Sequence, residues 1–318
     1  MRKTLGKEVA AHSYKLFGIT FSCDASLLLP PGDASAEPRF NLRAANSEAN
    51  NFTADETVRA EGDQWIQIRL LSSGALEVEW EDWLILRASA DGRTIVYRVH
   101  EDAYPEAFEA HIANFAASIA LILQGEESLH STALWIDGQG IGLLGASGAG
   151  KSTFAAYLLN QGAQLLTDDL LRISESEGRL YAEPGPPRLK LFGHSAERHF
   201  SHHSSCGKWS PLSQKYLFQT GDPNTAQVRR PLDSLVWLAP PDANSPDAIS
   251  IGRLRGLELF KVIAGSTMNP RIDPPGRQMQ QFVFAQWVAK ALPVYALRYP
   301  RREDIFPELL SLLREEVF

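Results

Sequence analysis

The chain has 318 residues, of which 44% are hydrophobic and 22% charged, with a formal net charge of -7. This is ordinary globular material, long enough for two domains, and its acidic balance argues against a nucleic-acid or anionic-membrane surface, since clustered Lys and Arg usually meet such partners. Cys23 and Cys206 stand far apart, which excludes a disulfide framework or a paired zinc motif, and the first residues lack the apolar core of a signal peptide. A cytoplasmic protein is expected, with its longest apolar stretch, around 115–123, too short to span a bilayer.

In the first hundred residues KLFGITFS, WIQIRLL, ALEVEW, WLILRAS and TIVYRV carry strand signals, with turns at Ser73-Gly74 and Asp91-Gly92. The pattern predicts an antiparallel meander, with PPGDASAEP and NSEANNFTADE as polar loops. From Pro105 the period changes, because Phe108, Ile112, Phe115, Ile119 and Ile122 recur at helical spacing. A helix with one buried face therefore links two modules. LHSTALWIDGQGIGLLG then predicts a hairpin turning about Gly138 and Gln139 and running into a glycine loop.

Beyond that loop come a helix over Thr153 to Leu159, a strand QLLTDD ending in two acids, and a hairpin LLRISESEGRLYAE. A loop from Pro184 to Gln227, rich in His, Ser and Pro, follows. SLVWLAP reads as a buried strand, LRGLELFKVIAG and QMQQFVFAQWVAKAL as helices, PVYALRY as a strand, and 304–316 as a terminal helix. Strands alternating with helices around a glycine loop predict an α/β nucleotide-binding core.

Three motifs overlap in that loop. Gly140-Ile141-Gly142-Leu143-Leu144-Gly145 fits the dinucleotide pattern G-x-G-x-x-G, with Asp168 at a suitable interval, but Ile141, Leu143 and Leu144 look like a strand rather than a turn. Gly145-Ala146-Ser147-Gly148-Ala149 misses the G-x-S-x-G nucleophile elbow at its last position. Gly145-Ala146-Ser147-Gly148-Ala149-Gly150-Lys151-Ser152 fits the phosphate loop G-x-x-x-x-G-K-S throughout. Its glycines let backbone N-H groups wrap phosphates, Lys151 neutralises their oxygens, and Ser152 offers a hydroxyl to Mg²⁺. Asp168 and Asp169 lie just 16 residues after Ser152, where a carboxylate can bind metal or take a proton. If the hairpin turns at Gly138 and Gln139, His130 falls opposite Ser147.

In order and spacing, LHSTALWIDGQGIGLLGASGAGKSTFAAYLLNQGAQLLTDDLLRI resembles the catalytic core of the HPr kinase/phosphorylase family. The N-terminal SYKLFGITFSCDASLLLP is similar to HPr-kinase-related members, which include kinases found with lasso-peptide biosynthesis. The resemblance implies an α/β P-loop kinase core over 126–318, a smaller β-rich N-terminal domain over 1–103, and a linking helix over 104–125. It implies ATP and Mg²⁺ as cofactors, a peptide or small-protein hydroxyl, such as Ser, as acceptor, and is compatible with a homo-oligomer. Gly145 to Thr153 would bind the triphosphate and Ser152 and Asp169 the metal. Asp168 would accept the acceptor's proton, and His130 and Lys151 would assist. Thr153 stands where HPr kinases carry an acidic residue.

Phosphoryl transfer also needs cations, for which Arg188, Lys190, Arg229 and Arg230 are candidates. His199, His202, His203 and Cys206 lack a zinc frame, so a mobile lid or disorder is expected there.

Overall fold

A computed structural model of the chain describes residues 11–45, 55–63, 65–80, 83–99, 105–203, 205–210, 213–222, 224 and 228–318. Its N-terminal strands are β1 (His12–Leu16), β2 (Ile19–Cys23), β3 (Phe40–Ala44), β4 (Thr57–Gly62), β5 (Gln67–Leu71), β6 (Leu76–Trp80), β7 (Leu84–Ala88) and β8 (Thr94–Val99). They form one eight-stranded sheet in the order β1-β2-β3-β8-β7-β6-β5-β4.

β5 to β8 make the expected antiparallel meander, but the rest differs. KLFGITFS is a hairpin and not one strand, because Phe17 and Gly18 both take positive φ (51° and 70°) and turn the chain between β1 and β2. β3 lies parallel to both β2 and β8, so the sheet is mixed. β4 is an edge strand exposed along its whole length, with no buried face and hence no apolar alternation to read. Residues 46–54 of the polar loop expected at 46–56, and the boundary expected at 103–104, lie outside the described residues.

Helix α1 (Pro105–Leu123) packs on this sheet, where Ala113, Ala117 and Ile119 join Leu42, Val78, Leu86 and Ile95 in one core. It is longer than the apolar stretch first read, 19 residues with a mean hydropathy of 1.3, and by length and composition alone it reaches a membrane span. However, 78% of its apolar window is buried inside the chain. Its middle turn, Ile112–Ala116, is π-helical, a local widening often found beside functional sites.

The second half contains β9 (Leu129–His130), β10 (Thr132–Ile136), β11 (Gln139–Leu144), α2 (Lys151–Asn160), β12 (Gln164–Thr167), β13 (Leu170–Leu171), β14 (Ile173–Ser176) and β15 (Arg179–Ala182). These are followed by β16 (Arg188–Phe192), α3 (Gly193–His199), β17 (Ser205–Lys208), β18 (Lys215–Gln219), β19 (Arg230–Pro231) and β20 (Ser234–Ala239). The chain ends with β21 (Ser250–Arg253), α4 (Gly256–Gly265), α5 (Arg277–Ala291), β22 (Val294–Arg298) and α6 (Phe306–Glu316). A six-stranded sheet, β12-β10-β11-β20-β22-β21, forms the centre, with β11, β20 and β22 parallel. Phe154, Leu158, Phe306 and Leu309 bury α2 and α6 in one core, and Val262, Ile263, Ala285 and Val288 bury α4 and α5 in the other. The mixed α/β class with a strand-rich N-terminal region is as expected.

Two local expectations are corrected. The hairpin turns at Asp137 and Gly138, both at positive φ (51° and 81°), so Ile136 pairs with Gln139 and Thr132 with Leu143. The stretch from Pro184 to Gln227 is not one loop: it holds α3 and a three-stranded sheet, β16-β18-β17. Leu189, Leu191 and Phe218 anchor that sheet in the core under α2.

Candidate functional site

β11 delivers the glycine loop. Its glycines are packing residues: a Cβ at Gly140 would lie 1.9 Å from the Pro231 carbonyl oxygen, which accounts for the dinucleotide-like pattern without a ligand. The loop itself takes the left-handed conformations that favour glycine, with φ of 80° at Gly148 and 94° at Gly150. Gly150 then caps α2, whose first residues are Lys151, Ser152 and Thr153. The free N-H groups of that helix start and its dipole favour an anion.

The Lys151 side chain is buried and folds back over the loop, its Nζ donating to the carbonyls of Gly145 (2.6 Å) and Ala146 (3.3 Å). Burial pulls its pKa down, although Asp169 and Asp168 oppose that. An ammonium held by two neutral carbonyls has a strong electrostatic reason to turn toward a phosphate instead. The residues present therefore fit a nucleotide triphosphate.

The acids lie between β12 and β13, both buried. Asp169 has φ of 68°, unusual for a residue with a side chain. The two carboxylates have different surroundings. Asp168 accepts from the Thr132 hydroxyl (2.7 Å) and from the backbone N-H of Lys190 (3.0 Å), so both its oxygens are tied to strands. Asp169 instead meets the ammonium of Lys190 and faces a cavity shared with His130 and the glycine loop. Burial and the charge of Asp169 push the Asp168 carboxyl up. At Asp169 burial is the largest influence and works in the same direction, but the charge and hydrogen bond of Lys190 together with His130 and Lys215 outweigh it and hold the group at about 2.

His130 is not opposite Ser147. The two-residue error in the turn removes that pairing, and β9 leaves the hairpin to place His130 beside Leu170 of β13. It still reaches the same cavity as Ser147 and Asp169. Burial drives its pKa down to about 4, so the ring is neutral at pH 7.

Of the cation candidates, Lys190 alone lines this cavity. Arg188 is paired with Glu109 at 2.5 Å behind the acids, Arg229 lies over Tyr181, and Arg230 over Trp135. Lys215 was missed: it sits on β18 beside β16, and its pKa falls through burial and the nearby Lys190 charge. Alternation in RLKLF was the available signal for β16, and its register with β18 puts Lys190 and Lys215 on one face.

The Lys190 ammonium also stands 3.8 Å from the Trp209 ring centre. Trp209 stacks on His111 of α1 at 4.3 Å, and His111 meets Trp83 edge-on at 4.7 Å. The N-terminal sheet thereby supports the cation from behind. In the His-rich stretch His199 binds Glu303 (2.7 Å) and His203 stacks on Phe200 (3.8 Å), so these two rings pack onto the core where a mobile lid was expected.

No protein-family model matches the chain. Two curated relatives, the HPr kinase/phosphorylases of Clostridium botulinum strains Eklund 17B (Type B) and Alaska E43 (Type E3), are each 39% identical over 69 residues, or 22% of this chain. The chain spans 23% of the length of these relatives. Among solved structures, the HPr(Ser) kinase/phosphatase from Coxiella burnetii is similar over 60% of this chain and 95% of that one, at 11% identity and a TM-score of 0.32. His130, GASGAGKS and Asp168-Asp169 follow one another in this chain, and the 39% identity over 69 residues supports a likeness to the HPr kinase/phosphorylases over that short stretch.

Proposed function

We propose that the protein is a kinase that transfers the γ-phosphoryl group of ATP to a hydroxyl of a peptide or small protein, such as a serine. The observation that carries this reading is one cavity in which the start of the glycine loop, Asp169, Lys190 and His130 come together. An in-line transfer needs a phosphate cradle, a carboxylate for the acceptor's proton and cations for the equatorial oxygens, and little else.

In this mechanism Gly145 to Thr153 hold the triphosphate. The acceptor oxygen bonds to the γ-phosphorus as the bridging bond to the β-phosphate breaks; ADP leaves, and the acceptor's proton passes to Asp169. Mg²⁺, held by Ser152 and Asp169, would neutralise charge on the phosphates, since it needs just one or two carboxylates when phosphates complete its shell. Asp169 takes the acceptor role expected of Asp168, because it faces the cavity while both oxygens of Asp168 are committed to strands. Lys190 and Lys215 supply the positive charge. Neutral His130 offers one ring N-H and one acceptor nitrogen to the reacting groups. The units behind this division are 1–103, 104–125 and 126–318, and the cytoplasm, where Mg-ATP is abundant, is the proposed location.

The test gives purified protein Mg-ATP with Ser-containing peptides, sugars and nucleosides, and reads products by mass. Phosphopeptide is expected. Transfer to a free sugar or nucleoside alone would overturn the acceptor class, and ATP binding without transfer to any acceptor would leave a nucleotide-responsive regulator. A lasso-peptide precursor belongs in the panel as the finer guess about the acceptor.

A further inference from the structure

The cavity in front of Asp169 has a volume of about 690 Å³. Beyond the polar groups at its floor, its apolar wall residues are Phe115, Trp209, Trp237, Val262, Met268 and Pro270, with the charged Glu258 and Lys261 of α4 beside them. It touches Gly145, Ala146 and Ser147 but none of Gly150 to Thr153, where the helix start would hold the inner phosphates. The space therefore opens on the γ-phosphate side of the loop, where an acceptor must approach.

Two further features mark it as a built site. Asn114, on the π-helical turn of α1, is 8% exposed and lines the cavity, and its side-chain oxygen has no hydrogen-bond partner. Such an atom is costly to leave unpaired, and the backbone N-H of an extended peptide would satisfy it. The adjoining wall, Met268 to Pro270, is tied to α1 by the Asn269 amide donating to the Ser118 hydroxyl at 2.6 Å, and is braced by the buried Arg277. That guanidinium grips Glu127 with two bonds of 2.9 Å and donates to the carbonyls of Met268, Asn269 and Ile272. A wall fixed this way is formed before the ligand arrives.

We propose that this cavity selects the acceptor by apolar side chains next to the hydroxyl residue, so that the substrate is a peptide segment bearing large aliphatic or aromatic residues beside its serine. This rests on the kinase reading for the hydroxyl, but not for the occupancy of the cavity. Its size suits a short apolar segment, as pockets of 300–1,000 Å³ suit drug-sized ligands.

Gly265, the last residue of α4, lines the cavity, and a Cβ added there meets no atom within 4 Å. A side chain can therefore start at Gly265 without a backbone clash, and Gly265→Phe adds bulk at the cavity rim. Two measurements are made on wild type and G265F. One is calorimetric binding of paired peptides, Phe- or Leu-flanked against Gly-flanked, with Ala replacing Ser. The other is the melting-temperature shift given by Mg-ATP. Wild type should bind the apolar peptide at least ~10-fold tighter, G265F should lose that preference, and the Mg-ATP shift should survive. Equal binding of both peptides, or a preference untouched by G265F, would overturn the proposal. Loss of the Mg-ATP shift would instead assign the cavity to the nucleotide base. Binding selectivity without phosphorylation of the Ser versions would sink the kinase reading and leave the cavity assignment standing.

Discussion

Lys151 donates to the carbonyls of Gly145 and Ala146, so its removal relieves a buried charge as well as deleting the proposed phosphate ligand. Lys151→Ala should keep or raise thermal stability while lowering kcat/KM for ATP by at least about 100-fold; a mutant of normal turnover would refute the loop assignment. The two acids should separate. Asp169→Asn removes the carboxylate that faces the cavity, and should abolish transfer and weaken the Mg²⁺ dependence of ATP binding. Asp168→Asn still accepts from Thr132 or Lys190, but one oxygen becomes a donor group, so its first effect should be on stability. Lost transfer with intact stability in Asp168→Asn would return the base to that residue. Burial also gives a pH dependence. His111 is held down to about 3 and His130 to about 4, both below the unfolded value near 6.5. Between those limits the unfolded chain binds more protons, so the stability these rings provide is complete above about pH 6.5 and is lost as pH falls through 4. Asp168, shifted up, works in the opposite sense, so the informative quantity is a difference. Urea unfolding of His111→Phe should show a flatter pH slope than wild type between about pH 6.5 and 4; identical slopes would mean that burial does not control this ring.

The small sheet β16-β18-β17 sets the charge at the cavity floor, placing Lys190 and Lys215 on one face while its other contacts reach the core under α2. Lys190→Met keeps the packing length of the side chain but removes the ammonium. Transfer should fall by about 100-fold in kcat with a small change in KM, whereas an equal loss in ATP binding would move Lys190 to the ground state. This element shows where sequence reading fell short. Its histidines, serines and prolines make the composition loop-like, yet RLKLF alternates in the way a half-buried strand must, whereas KYLFQ, with Tyr216, Leu217 and Phe218 in a row, does not. The hairpin failed differently: Asp137-Gly138 is a strong two-residue turn signal, and centring the turn one position later moved every pairing by two. The motif itself was legible because loop, helix start and acids all fall between 145 and 169. The cavity was not, since α1, β9, β16 and α4 meet there from 105 to 265 and local periodicity carries no information about which faces converge.

At the scale of the whole chain, α1 contributes to the cavity wall and the N-terminal sheet packs behind it. Glu109 of α1 joins three places at once: it pairs with Arg188 of β16 at 2.5 Å, its other oxygen accepts from the backbone N-H of Leu28, and its helix carries Asn114 and Phe115 to the cavity wall. Both side chains of the pair are about nine-tenths buried, and Arg188 lies two residues from Lys190 along the strand. Deleting residues 1–103 would therefore uncover the apolar face of α1 and disturb the cavity together, which makes a truncation a poor probe of substrate recognition. Point variants separate the effects. Glu109→Ala leaves Arg188 buried without its partner, and should cost about 3 kcal/mol in urea unfolding while lowering transfer through the displaced Lys190. Adding Arg188→Met to Glu109→Ala removes the stranded charge and should recover most of that stability. If transfer returns with stability, the pair serves the fold alone. If stability returns but kcat stays low, with ATP binding unchanged, the pair fixes the strand that presents Lys190, and the N-terminal sheet holds the catalytic geometry through it.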